Sequence, residues 1–412
     1  MPPATSSTPW AGESASTSKS SEVAHPPPTP TSAPVAEIVP TELLSAISRR
    51  KLNANTPLIA DAWHKALTAA NLLSKYPSIP SGIKSGFRVG IPNIISTHTP
   101  PNSPSLITHN SHFHQILRHE LSTGRFLGPF SRVTIEALIG PFQSSPLSII
   151  PKPHKPDAFR LIQNFSFPHS NLPYPSINHT INSDDYPCTW GTFNTICLIV
   201  WYLPEGSQAA VRDIAEAYRT MPLHPSQWPG AVVRISPNDQ FCIDTSAAFG
   251  VASNAGAYGH IADAGTDIMR SRGLGPISKW VDDHVFFRVP TAKISDYNRL
   301  RKAWATSIAD HGGMHKSGGR IWYGGAILPD DRVAEFDEDL LFPITTQPGQ
   351  DGIFPYSMED IDRLSDELGI PWQKDKDRPF SQSFTFTGFD WNIQKKTVAL
   401  TEAKRLKSCT AN

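Results

Sequence analysis

From Thr41 onward the apolar residues fall at helical spacing. The run TPLIADAWHKALTAANLLSKYP predicts a helix behind a threonine start, with proline in its first turn. HNSHFHQILRHELSTGRFLGPF predicts a second helix that ends near Gly124. From Ser148 the pattern changes to short β-prone runs broken by Pro, Gly and Asn. SPLSIIPKPHKPDAFRLIQNFSFP reads as a hairpin, with strands at Leu147–Ile150 and Phe159–Phe165 and a basic turn between Pro151 and Asp157. Ala209 to Ile214 suits a strand that delivers Asp213 at its end, and AVVRIS and QFCIDTSAAFG supply two more. VASNAGAYGHIADAGTDIMRSRG is rich in small residues and predicts a close-packed helix. KWVDDHVFFRV follows as a hairpin, then a helix over KISDYNRLRKAWATSIADHG and a strand at RIWYGGAIL. SMEDIDRLSDELG is a helix with Ser357 and Asp360 in capping-box positions. FTFTGFDWNIQKKTVALT closes the folded part as a hairpin turning near Gln394 to Lys396. Strands alternating with helices, plus several hairpins, predict an α+β fold whose antiparallel sheet has helices on one face.

Composition changes this picture only at the ends. Residues 1–40 are rich in Ser, Thr, Pro and Ala, too poor in apolar area to offset the entropy of ordering, and read as a disordered arm. Residues 41–140 form the helical N-terminal region. The 412-residue chain carries 37 basic and 37 acidic residues, so any nucleic-acid surface has to be local. Its cysteines, Cys188, Cys197, Cys242 and Cys409, lack C-x-x-C spacing, which argues against a zinc ribbon or a disulfide scaffold and suits a reducing compartment. There is no apolar run near the roughly 20 residues that span a bilayer, and no secretory pattern. The expectation is an intracellular protein, cytoplasmic or nuclear, with no membrane partner. His109, His112, His114 and His119 lack the Cys or acid help a metal site needs and read as a solvated helix face.

Acidic pairs are usually solvated turn residues, as at Asp184-Asp185 and Asp330-Asp331. Asp282-Asp283 differs, because β-prone sequence grips it on both sides. If its hairpin neighbours the strand ending at Asp213, the carboxylates converge at one sheet rim. Hard divalent cations take oxygen ligands of this kind. Two such ions can activate an attacking hydroxyl and stabilise a leaving oxygen, which is phosphoryl-transfer chemistry.

These boxes, in this order, resemble a reverse transcriptase. VRDIAEAYRTMPLH resembles motif A, AAFGVASNAGAYGH motif B, and KWVDDHVFF motif C, with Trp280 in the aromatic place. SIIPKPHKPDAFRLIQNFSFP looks like the fingers hairpin, GGMHKSGGRIWYGGAIL like motif D, and FTFTGFDWNIQKKTVALTEAK like the primer-positioning strands. The style of ELSTGRFLGPF and GFDWNI is most similar to tyrosine-recombinase (DIRS-like) retrotransposons. Asn254-Ala255-Gly256 stands where motif B commonly has a proline.

The resemblance implies a right-hand polymerase, with fingers at 141–205, palm at 206–345, and the end of the palm with the primer-positioning hairpin at 346–412. Little length then remains for a thumb. It implies RNA-directed DNA synthesis from a primed RNA or DNA template with deoxynucleoside triphosphates, using two Mg²⁺ ions, or Mn²⁺. Asp213, Asp282 and Asp283 would be the catalytic, metal-binding triad, with the backbone carbonyl of Ile214 completing a shell. Lys152 and Arg160 would hold the triphosphate, Gly250 would let the backbone approach the nucleotide and template, and Lys316 would contact the phosphates or act as a general acid for the leaving pyrophosphate. Tyr218 would clash with a ribose 2′-hydroxyl, favouring deoxynucleotides over an RNA-polymerase alternative. A third reading is a catalytically silent or truncated remnant that binds nucleic acid or serves as a scaffold.

Overall fold

The strand Gln208–Asp213 sits inside a four-stranded antiparallel sheet, between Arg378–Ser381 and Asp283–Arg288, with Ile277–Trp280 beyond. The computed structural model describes residues 41–152, 155–170, 174–310, 321–327, 333–336, 343–344 and 352–409. Contacts group Val39–Asn412 as one unit.

Both faces of this central sheet are covered, where helices on one face were expected. Ile277 and Phe286 join a core with Trp63, Ile268 and Leu364 from the helices Ala60–Ala69, Asn254–Ser271 and Met358–Leu368. Ala209, Val285 and Phe287 join a second core with Ile196, Ile294 and Trp391. A strand buried on both sides needs a continuous apolar run rather than alternation, and Val285-Phe286-Phe287 is one.

The helix Asn254–Ser271 is close-packed because its glycines admit neighbouring chain. A Cβ at Gly256 would lie 2.0 Å from the Tyr186 carbonyl oxygen, and one at Gly259 would lie 2.5 Å from Cys188 Sγ. A three-stranded sheet orders Phe126–Ser131, Gln240–Asp244 and Val232–Ser236. Leu147–Lys152 pairs with Lys155–Gln163 as the expected hairpin. At the other end, Phe389–Asn392 and Thr397–Leu400 turn where expected, but Ser383–Phe386 adds a third strand through a turn in which Gly388 has φ +78°.

Helix boundaries are the main departure. The predicted helix from Thr56 to Pro77 is helical only over Ala60–Ala69. Thr56 donates its hydroxyl to the Thr220 carbonyl at 2.6 Å and accepts from Leu58 N at 3.2 Å, but this local turn does not run on into the helix, whose N-cap is Ile59, and Asn71 at φ 57° breaks the far end. The next helix, Ser78–Ser85, is separate. Asn110–Ser122 ends before Gly124 as expected, and His109 and His112 pack against the Phe159 ring. At Met358–Leu368 the capping box forms, with Ser357 N donating to Asp360 at 2.8 Å. Among the described residues no helix is long and apolar enough to cross a membrane.

Candidate active site

Antiparallel register places Asp213 directly opposite Asp283, and Asp283 opposite Trp280. Directly paired residues share a face, so both carboxylates project from the same side of the rim. Asp282 occupies the turn beside them, and its carbonyl accepts from Ile214 N at 2.9 Å. Val281 makes this turn at φ 54°, a left-handed conformation costly for a β-branched residue.

The three acids act on one another. Burial, then the Asp282 and Asp213 charges and a hydrogen bond with Asp213, push the Asp283 carboxyl up to about 7. Asp282 is also raised, mainly by burial and further by Asp213, while its own backbone, Lys376 and Arg160 work against the rise. Arg160 therefore reaches this site electrostatically from the Lys155–Gln163 strand, where it lies opposite Ile150. Lys152 stands near the tip of the same hairpin, opposite Lys155.

Tyr218 is half-buried on the short helical turn Ala217–Thr220, edge-on to Phe249 at 4.8 Å and to Tyr258 at 5.5 Å. Burial and then the Asp282 charge raise its phenol, so the ring lies near the acids. Gly250 holds φ +109°, and a Cβ there would stand 2.8 Å from the Gln163 carbonyl oxygen. Glycine thus brings this loop onto the end of the hairpin that carries Arg160. Lys316 lies outside the described residues.

No family model matches the sequence, and no curated protein matches it. Among solved structures the chain is similar to the foamy viral protease-reverse transcriptase in complex with an RNA/DNA hybrid. That match has 12% identity and a TM-score of 0.44, over 91% of this chain and 38% of that one. A structure of the foamy viral protease-reverse transcriptase in complex with dsDNA gives 13% identity and a TM-score of 0.42, over 84% of this chain and 57% of that one. The chain therefore spans less than two thirds of either.

Several residues at the site were not read from the sequence. Lys376 Nζ stands 3.0 Å from both carboxylate oxygens of Asp213. On the opposite face, Arg212 is fully buried and holds Asp377 through Nε at 3.1 Å and Nη2 at 2.7 Å, and Asp362 through Nη1 at 2.7 Å. Adjacent strand residues project to opposite faces, so Arg212 points away from the acids. Its guanidinium lies 4.8 Å over the Trp372 ring. His284, paired with Arg212 across the strands, sets Nδ1 3.1 Å from the Asp282 carbonyl oxygen. Burial, then the Lys279 charge, drives His284 down to about 3, so it is neutral and donates from Nδ1. Lys279 in turn pairs with Asp263 of the helix Asn254–Ser271 at 2.9 Å.

A further ion network fixes the chain beyond Asp213. Glu216, at φ 49°, is held by Arg125 at 2.8 Å. Arg219 spans Asp244 at 2.8 Å and Glu120 at 2.7 Å. The signal for these residues was weak, because each pairs with a partner far along the chain.

Proposed function

We propose that this chain is the core of an RNA-directed DNA polymerase of retroelement type, extending a primer 3′ end with deoxynucleotides. In this reading the central sheet is the palm and the hairpin from Leu147 to Gln163 belongs to the fingers. The observation that carries it is the acid rim: Asp213 opposite Asp283, with Asp282 on the turn, all held by paired β-structure.

The donor chemistry at this rim fits Mg²⁺ or Mn²⁺. Carboxylate oxygens are the ligands hard divalent cations take, and three carboxylates stand together here. Burial first, and mutual repulsion second, raise Asp283 and Asp282. Among the described residues no three His, Cys, Asp or Glu are already gathered around an ion position. The ammonium of Lys376 instead bonds to Asp213. Asp213, Asp282 and the Ile214 carbonyl would hold the ions, with Asp283 in support. Bound metal would supply activation of the primer hydroxyl and stabilisation of the leaving oxygen.

The chain's own groups do the positioning. Arg160 and Lys152 would take the triphosphate, the first through its planar fork and the second as a point charge. Tyr218, backed by Tyr258, would bar a 2′-hydroxyl. Lys316 would add phosphate contact.

The test is primer extension on poly-rA with an oligo-dT primer, with Mg²⁺ or Mn²⁺, beside Asp282→Asn/Asp283→Asn. Extension that the double substitution abolishes supports the reading. Folded protein at high concentration that extends nothing sinks it for this chain acting alone.

A further inference from the structure

We infer that Arg49 and Arg50, at the end of the helix Thr41–Leu52, form a docking site for backbone phosphates of the nucleic-acid strand. The inference rests on the polymerase reading but names a contact away from the acid rim. The two side chains line a hollow of about 450 Å³, walled by Leu121, Gly124, Phe126 and Gly128. Among the described residues no carboxylate pairs with either guanidinium. The recorded hydrogen bond of Arg49 runs from Nε to the Ser45 carbonyl within its own helix, at 3.4 Å. Arg50 is only partly exposed, and its acidity is shifted by burial and then by the neighbouring Arg49 charge, with no acid opposing them. A half-buried cation repelled by its neighbour is a cost that an arriving anion removes.

The floor of the hollow is shaped for this. Gly124 has φ +69°, and a Cβ there would lie 2.6 Å from Arg50 Nη2, so glycine lets the guanidinium lie against the backbone. The apolar wall formed by Leu121 and Phe126 lowers the local dielectric and strengthens attraction to an anion.

Two adjacent guanidinium forks in one hollow match the regularly spaced phosphates of a nucleic-acid strand better than the carboxylates of an acidic polypeptide. Asn55 binds the Thr123 carbonyl at 2.8 Å, and the chain passes through Gly124 to Arg125. Arg125 holds Glu216, just beyond Asp213. These bonds tie the backbone at the edge of the hollow to Glu216, in the segment that follows Asp213. A polynucleotide lying along this surface meets two planar forks suited to bidentate phosphate contact.

The experiment measures binding of a labelled primer–template to the full chain by fluorescence anisotropy across a salt series. Arg49→Gln/Arg50→Gln is expected to flatten the log–log salt dependence by about 1 per lost guanidinium and to weaken binding at every salt. Arg50→Lys should keep the slope, because charge is retained, and matched urea midpoints exclude misfolding. Asp282→Asn/Asp283→Asn should bind the duplex yet not extend it, which separates this site from the rim. An unchanged slope in the double arginine variant overturns the inference even if extension succeeds. So does failure of the parent chain to bind the primer–template. Displacement of the duplex by polyglutamate from the parent, but not from the variant, would reassign the hollow to an acidic polypeptide. Loss of extension with the arginine-dependent slope intact would instead refute the polymerase reading alone.

Discussion

Replacing Arg212 by methionine tests the clasp behind the acid rim. The side chain is fully buried, and its guanidinium makes three N–O contacts of 2.7 to 3.1 Å to Asp377 and Asp362. Methionine has similar length and no charge. Asp362 keeps Lys374 as a partner, but Asp377 loses both of the contacts that Arg212 gives it. Removing one partner of a buried pair costs about 3–5 kcal/mol, and the retained Lys374 contact argues for the lower end. A loss of about 3 kcal/mol is about two decades in the folding constant. Urea unfolding followed by tryptophan fluorescence should show the midpoint falling with the slope unchanged. Adding Asp377→Leu should restore about 2 kcal/mol, since an apolar replacement of the whole pair leaves no stranded charge. Primer extension should fall as well, because Asp377 adjoins Lys376, the cation on Asp213. A single-variant loss under about 1 kcal/mol, or a double variant no better than the single, would refute the claim that this pair holds the loop to the strand.

Three other perturbations follow from the same geometry. The Asp283 carboxyl, lifted from 3.8 to about 7, holds a proton that the unfolded chain releases, so its contribution to stability is full below about 4 and is lost as pH rises through 7. A carbon-13 carboxyl titration of metal-free protein should find its midpoint near 7 and should find it lower in Asp213→Asn; a midpoint near 4 in the parent would count against both burial and mutual repulsion at this site. Val281→Asn should stabilise the fold by about 1 kcal/mol in urea melts, because asparagine tolerates the left-handed turn at φ 54° better than valine; no gain would mean the turn stores no strain. Tyr218→Val should raise UTP incorporation relative to dTTP by roughly tenfold, about 1.4 kcal/mol of lost discrimination; an unchanged ratio would remove the ring from that role.

The acid rim was legible because strand alternation is a strict rule. A one-residue error in register would turn Asp213 away from Asp283, yet the apolar residues Ala209, Val211, Val285 and Phe287 all require the observed face. By the same alternation Arg212 lies on the other side. The helix Asn254–Ser271 was legible from its small residues, and the capping box at Ser357 from local spacing alone. The helix at Ala60 was misjudged at its start because the local signal, Thr56 with proline after it, closes only a turn. Thr56 accepts from Leu58 N at 3.2 Å while its hydroxyl donates to the Thr220 carbonyl, and the helix begins four residues later. The two-sided burial of the central sheet was missed although Val285-Phe286-Phe287 carries its sign, since a short apolar run reads equally as a one-sided strand with an irregular pattern.

What was hidden is the set of charges that complements the rim, and the reason is physical. Gln373-Lys374-Asp375-Lys376-Asp377 reads as a solvated turn, and in isolation it would be one. Folding lays it along the end of Gln208–Asp213, with Gln373 N donating to the Asp213 carbonyl at 2.8 Å. Adjacent residues on that strand point to opposite faces, so Asp213 and Arg212 offer opposite charges on opposite sides. The loop answers both with adjacent residues of its own, Lys376 for Asp213 and Asp377 for Arg212. A register shift of one residue in the loop would set like charge against like on both faces. The clasp therefore does more than neutralise. It fixes which loop residue reaches the acids, and it makes the position of Lys376 depend on a buried pair on the far side of the sheet. His284 repeats the logic on the next strand, where a neutral donor on the buried face steadies the Asp282 carbonyl while Asp283 faces the rim. Rigidity at the acids is thus supplied from behind, by groups whose partners only the folded sheet brings within reach.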